Sequence, residues 1–486
     1  MQKQMLLFIV LTIIALSCKN KEFKTEPATQ KTSQITEWES LNYGMFIHFS
    51  MNTFTGFEYD EGQNPTTTYE PVDLDVKQWV RTAKQAGMEY AVLTVKHMSG
   101  FCLWDSKVMW KGKEYDYDVE GSNYKTDVVA EFITACKEEG IKPGLYYCIL
   151  DPHNEGKIDW ESRVTDEYFD LVKGQIEELH TLYNGISEQW IDIPSKLSTE
   201  QRFELYGLIN RLSPGCLITC NNGFSDGVKV QNWPVDLVNG ERTLPPASGH
   251  DPYKKINGVD YYIPMEVCQT ISQNWFWMPN DPPKSVQTLN YWYQQCQERG
   301  ANFLLNVPPD RNGRIPDEFV SRLKELNEVI DNPNLLPLPK SLTYRNEITV
   351  SSTWHNRPEY RPDYALDEDL TTRWIASEGL SEAWMEVDLK EERKFNQLKI
   401  VEPYGSYIKE LEFQYKYGDI WKTFFNEDDF NGNLLQDFDL VSARYVRIII
   451  KRYTDKANRH NVVSKPKSDT PIEGPSISEF QLFLRV

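Results

Sequence analysis

Eight short apolar runs recur between residues 43 and 309: YGMFIHF, YAVLTVKH, IKPGLYYCIL, SEQWIDIP, GCLITCNN, VDLVNGE, IPMEVCQTI and NFLLNVPP. Runs this continuous are strands covered on both faces, as in a parallel sheet. Amphipathic stretches separate several of them, such as VKQWVRTAKQAG, TDVVAEFITACKEEG and Glu167 to His180. Gly87 and Gly140 stand where a helix C-terminal cap belongs. Eight strands alternating with helices over this length predict a (β/α)8-like barrel. Some later connections are short or irregular, so the expected barrel is a distorted one.

Several runs end in a polar group: His48, His97, Asp192, Asn221, Glu241, Glu266 and Asn306. In barrels of this type the reacting groups come from the C-terminal ends of different strands. Asp192 stands between Trp190, Ile191, Ile193 and Pro194. Alone it would read as a solvated loop residue, because a carboxylate in apolar surroundings is costly unless paired or hydrogen-bonded. As one member of a ring it reads as part of a site. The chain has no P-loop or GxGxxG pattern, and neither a CxxC pair nor clustered histidines. Paired carboxyls suit glycosidic cleavage, one attacking the anomeric carbon while the other protonates the leaving oxygen. Trp190 and Trp275 can supply aromatic walls, in a chain that is 13% aromatic. The net charge of −20 argues against nucleic acid or an anionic membrane surface as partner.

Beyond the barrel the character changes. The Pro-rich break DNPNLLPLPK (331–340) leads into short alternating runs, among them AWMEVDL, NQLKIVE, LEFQYKY and ARYVRIIIK. These predict an antiparallel β-sandwich. At the other end, Lys3 precedes an apolar run from Met5 to Leu16 that is too short to span a bilayer and reads as a signal peptide. Its close, ALSC, resembles a bacterial lipobox with Cys18 as the lipidated residue. The remaining seven cysteines have irregular spacing and are expected to be mostly buried free thiols. The expected organisation is a signal peptide (1–18), a tether (19–37), the barrel (38–335), a linker (336–344) and the sandwich (345–486).

YGMFIHFSMNTFTGFEY, DVKQWVRTAKQAGMEYAVLTVKHMSGFCLW, DVVAEFITACKEEGIKPGLYY and ANFLLNVPPDRNGRIP resemble, in order and spacing, the family 29 glycoside hydrolases, the α-L-fucosidases. FEYDEGQNP and the attached sandwich are similar to the subgroup acting on α-1,3- and α-1,4-linked fucose. The resemblance implies a retaining two-step hydrolysis of fucosylated oligosaccharides or glycans, with no required cofactor and no catalytic metal. By position WID makes Asp192 the nucleophile. Glu241 in VNGER matches the acid/base, with Glu266 in PMEVCQ as the alternative. His48 and His97 match histidines that hold sugar hydroxyls, and Tyr146 and Glu58 match pocket positions. Trp190 and Trp275 match the wall that receives the fucose methyl group.

The chain departs from the family pattern where Met98 replaces a histidine, Tyr59 a tryptophan and Ile193 a glycine; TCNNGFSDG lacks an arginine often found there. These changes spare the reacting pair but keep two further readings open, another α-L-sugar such as L-galactose and a glycan-binding surface lipoprotein without activity. DYALDEDLTTRWIASEGLSEAWMEVDL resembles discoidin-like (factor 5/8 type) domains. There Trp374 and Trp384 belong either to the core or to a sugar site. Asp367 to Asp369 form a solvated acidic loop or, as the alternative, hold a structural calcium ion. The implied location is an exported protein whose contact with a bacterial membrane, in the periplasm or at the cell surface, is its lipid anchor.

Overall fold

The computed structural model describes residues 26–155, 159–337, 340–403, 407–454, 456–457 and 472–485. Cys18 and the expected signal peptide lie outside these. Eight parallel strands form the first unit: β1 (Tyr43–Ile47), β2 (Tyr90–Lys96), β3 (Lys142–Cys148), β4 (Glu188–Asp192), β5 (Leu217–Cys220), β6 (Val238–Glu241), β7 (Met265–Thr270) and β8 (Ala301–Asn306). Their order is β5-β4-β3-β2-β1-β8-β7-β6, and a parallel bridge from Thr219 to Leu237 closes the ring between β5 and β6. The expected barrel is present.

Its distortion has a definite place. Helices α2 (Val76–Gln85), α3 (Val128–Glu139), α4 (Asp166–Leu182) and α5 (Thr199–Leu212) return the chain from β1 through to β5. Helix α6 (Val286–Glu298) joins β7 to β8, and α7 (Asp317–Asp331) follows β8. The β5–β6 connection has no helix, and the β6–β7 connection holds only the hairpin Tyr253–Ile256/Val259–Tyr262. Helices α2 to α6 each start on a side-chain cap, from Asp75, Asp127, Thr165, Ser198 and Ser285 in turn, which satisfies a free first-turn N–H. Helix α1 (Ser33–Ser40) lies ahead of β1 and buries Ile35 and Trp38. The ordered unit therefore starts before residue 38, inside the stretch expected as tether.

Side chains alternate across each strand, so every second residue points into the barrel. On β4 these are Glu188, Trp190 and Asp192, which rise in three layers from floor to mouth. Phe46 of β1 packs against Trp190 and Tyr146 at ring-centroid distances of 5.4 and 5.7 Å. Gly44 is obligatory one layer lower: a Cβ there would stand 2.4 Å from the ring of Tyr90. Lys96 and Asp151 form a fully buried pair at 2.7 Å that ties the end of β2 to the segment after β3. The seven described cysteines are buried free thiols.

The second unit is one antiparallel sheet containing β9 (Glu347–Val350), β10 (Ala383–Val401), β11 (Ile408–Tyr417), β12 (Ile420–Glu427), β13 (Asn433–Tyr453) and β14 (Glu479–Phe483). The order is β9-β10-β13-β11-β12, with β14 also on β10. Bulges at Asp388/Arg393 and Phe395/Gln397 interrupt the two long strands, so that the sheet encloses a core including Phe395, Phe413, Ile448 and Phe480. Trp374 belongs to this core and donates to the Ser352 carbonyl. Asp367, Asp369 and Glu479 are buried together, where a solvated loop was the favoured expectation. Burial and mutual repulsion push Asp367 and Glu479 above the usual carboxyl range. No three such groups among the described residues converge as a metal centre. The unit sits against α6: Asp369 accepts from the Ser285 N–H at 2.7 Å, and Arg345 stacks on Tyr291 at 3.7 Å.

Candidate active site

A cavity of about 370 Å³ opens at the C-terminal ends of the barrel strands. Its walls include His48, Glu58, His97, Tyr146, Trp190, Asp192, Glu241 and Trp275, eight of the nine pocket residues expected from the sequence. Glu266 is the exception. Register pairs Glu241 with Cys268, which puts Glu266 two residues lower on β7, beneath the cavity floor. There it is fully buried and accepts from Tyr90 Oη and Trp190 Nε1, both at 2.8 Å. The alternative acid/base is therefore a structural group, and the correction follows from strand register that sequence spacing does not reveal.

Asp192 ends β4 at the mouth of the barrel. Its Oδ1 accepts from Asn221 Nδ2 at 2.7 Å and from the Ile193 N–H at 2.8 Å; its Oδ2 accepts from Tyr146 Oη at 2.5 Å. Ile193 reaches its bond through a left-handed backbone (φ +50°), an unfavourable state for a β-branched residue. That is where the family pattern has glycine. Burial raises the Asp192 carboxyl above its ordinary value against these three donors, which favour the ionised form.

Glu241 ends β6 across the cavity. Asn221 Nδ2 also donates to its Oε2, at 3.0 Å. One nitrogen thus holds both carboxyls, and their oxygens stand no farther apart than the two bonds end to end, about 5.7 Å. Burial, and next the Asp192 charge, push Glu241 up to about 7, while Asn221 and Arg242 pull the other way. Glu241 takes one side-chain donor where Asp192 takes three N–H and O–H donors. The donor sets therefore favour the ionised form at Asp192 more than at Glu241.

The far wall holds two neutral histidines. Burial pushes His97 down to about 3 and takes His48 well below its ordinary value. Asn306 Nδ2 donates to the Trp275 carbonyl, so its Oδ1 accepts from His48 Nδ1 at 2.7 Å. This leaves His48 Nε2 as the acceptor. Glu58, pushed up to about 7 mainly by burial, accepts from the Trp275 N–H. Met98 lines the cavity and is buried.

Several lining residues carry no sequence signal. Trp160, Phe224, Gln231 and Asn232 come from loops, where neither period 2 nor period 3.6 marks them. Arg242 stacks on Trp275 at 4.9 Å. Its place beside Glu241 in VNGER is the one hint that could have singled it out.

A family model described as alpha-L-fucosidase matches residues 55–332, more than half of the chain. The chain belongs to the alpha-L-fucosidase family. A second model, described as F5/8 type C domain, matches residues 347–463 of this fucosidase-family chain. "Alpha-L-fucosidase 1" of Arabidopsis thaliana is 29% identical over 491 residues, covering 94% of this chain and 91% of that one. The tissue alpha-L-fucosidase of Homo sapiens is 23% identical, covering 65% and 66%. Among solved structures, an alpha-L-fucosidase from Lactobacillus casei in complex with its fucose product has a TM-score of 0.51 at 26% identity, covering 63% of this chain and all of that one. A glycoside hydrolase 29 family member from a rumen bacterium has 0.52 at 22% identity, covering 94% and 78%, and bears on the fold.

Proposed function

We propose that this protein is a retaining exo-α-L-fucosidase that releases terminal α-1,3- and α-1,4-linked fucose from oligosaccharides and glycoconjugates. The observation that carries the reading is the single Asn221 nitrogen shared by Asp192 and Glu241, which holds one oxygen of each carboxyl within about 5.7 Å of the other and so favours the close pairing. Retaining glycosidases keep the pair about 5 to 5.5 Å apart, and inverting ones about 6.5 to 9.5 Å. In the first step an Asp192 oxygen bonds to the anomeric carbon while the glycosidic C–O bond breaks and Glu241 gives its proton to the leaving oxygen. In the second, Glu241 takes a proton from water, whose oxygen displaces Asp192 and restores the starting configuration. Trp190 and Trp275 offer an apolar wall to the sugar's methyl group, worth roughly 0.8 kcal/mol when buried. Neither step calls on a cofactor, since both proton and charge are handled by side chains. The test is turnover of aryl α-L-fucoside and aryl α-L-galactoside, with NMR of the first-formed sugar. Release of the α-anomer of fucose supports the reading; the β-anomer, preference for galactoside, or binding without turnover overturns it.

We further propose export and anchoring through a lipidated Cys18. Support comes from the sequence; no helix among the described residues is long and apolar enough to cross a membrane. Fatty-acid labelling that disappears in Cys18→Ser supports the anchor, and unchanged labelling removes it. A structural calcium ion at Asp367–Asp369 is kept only as the alternative that the sequence offers, since Thr371, Thr372 and the Ser285 N–H already donate to these carboxyls. A Tm indifferent to both calcium and chelator would remove that ion.

A further inference from the structure

At the outer rim of the cavity two large aromatic residues stay half-exposed, Phe224 at 47% and Trp160 at 49%. Trp160 meets Tyr59 edge-on at 5.6 Å. Phe224 belongs to the helix-free loop after β5, which gives it little support from the barrel itself. Its support comes from the other unit. The Arg357 guanidinium lies over the Phe224 ring at 5.1 Å, and Glu359 holds it by a 2.6 Å ion pair. Arg357 stands between two short helical turns, Trp354–Asn356 and Pro358–Tyr360. Trp354, Tyr360 and Ile375 lock these turns into a small apolar cluster of their own. Glu359 also faces Arg242, the residue after Glu241, across a crevice that both line. The second unit thus reaches the leaving-group side of the pocket at a fixed point.

We infer that Arg357 is a positioning residue of the active site, holding Phe224 as a platform for the sugar that leaves when fucose is released. The inference rests on the fucosidase reading and extends it to the leaving group: a pyranose ring, whose C–H face suits an exposed aromatic ring, with Arg357 keeping that ring in place. A cation–aromatic contact of this kind is worth roughly a 2- to 30-fold change in an equilibrium.

The test compares α-L-fucosyl fluoride, whose leaving atom reaches no platform, with a fucosylated trisaccharide, using the full chain. Arg357→Ala is expected to lower the ratio of trisaccharide to fluoride kcat/KM by roughly 2- to 30-fold. Phe224→Ala, a change in an exposed loop residue, should reproduce this split, and the double variant should lose no more than Phe224→Ala alone. Arg357→Lys keeps the charge but not the flat stacking group and should recover only part of the loss. Equal losses on both substrates, or undiminished trisaccharide turnover in Phe224→Ala, would overturn the inference. If the wild-type chain turns over neither fucoside, the fucosidase reading itself fails, which is a separate result.

Discussion

On one side of the barrel, from β1 to β5, every strand returns through a capped amphipathic helix. The groups at these strand ends, His48, His97, Tyr146 and Asp192, are packed ring against ring; His97 and Tyr146 stack at 5.5 Å. On the other side, from β5 to β7, a loop and a hairpin replace the helices, and this side contributes Asn221, Phe224, Glu241 and Arg242. In the proposed mechanism the regular side fixes the nucleophile against the sugar to be cleaved, whose shape does not vary, and the irregular side faces the leaving group, which differs from one glycan to the next, and draws part of its support from the second unit. Asn221 joins the two sides through one amide nitrogen.

Substitutions can break this division of labour, and the largest effect belongs to the regular side. Asp192→Asn should lower kcat by about 10⁴-fold or more, as loss of a member of a catalytic unit does, with circular dichroism unchanged. Glu241→Gln should cost about 10²- to 10⁴-fold on natural glycans and far less on fucosyl fluoride, which needs no proton. In the proposed mechanism Glu241 acts protonated, and its carboxyl is pushed up to about 7. Activity should therefore persist below that pH and fall as pH rises through it, and this alkaline limb should be absent from Glu241→Gln. Asn221→Ala removes a donor from both carboxyls and should cost roughly 5- to 100-fold in kcat/KM. Glu266→Gln should change kcat less than about threefold, since the amide oxygen still accepts from Trp190 and the amide NH2 can donate to Tyr90 Oη instead of accepting from it. A collapse of activity there would hand the acid role to the barrel floor.

The regular side was the legible one. Continuous apolar strands and capped helices announce the barrel, and eight pocket residues could be named because they end such strands or match family motifs. The floor was less legible: Glu266 reads like a site residue, and only register separates it from Glu241 by one layer. The rim was silent, because Phe224 and Trp160 sit in loops with no periodicity, and Arg357 arrives from a unit more than a hundred residues downstream. Asn221 was visible in the ring of strand-end polar groups, but its double bond to Asp192 and Glu241 needed coordinates. The acidic loop at Asp367 misled for a related reason, since charge density in sequence does not tell a solvated loop from a buried cluster.

Everything in the mechanism turns on Asp192 attacking the sugar while Glu241 stands opposite. Incubation with 2-deoxy-2-fluoro-α-L-fucosyl fluoride, followed by proteolysis and mass spectrometry, tests this directly. The account predicts a covalent fluorosugar on the peptide carrying Asp192, formed also by Glu241→Gln. A label on any other residue, or inactivation-free turnover with no label at all, would contradict it.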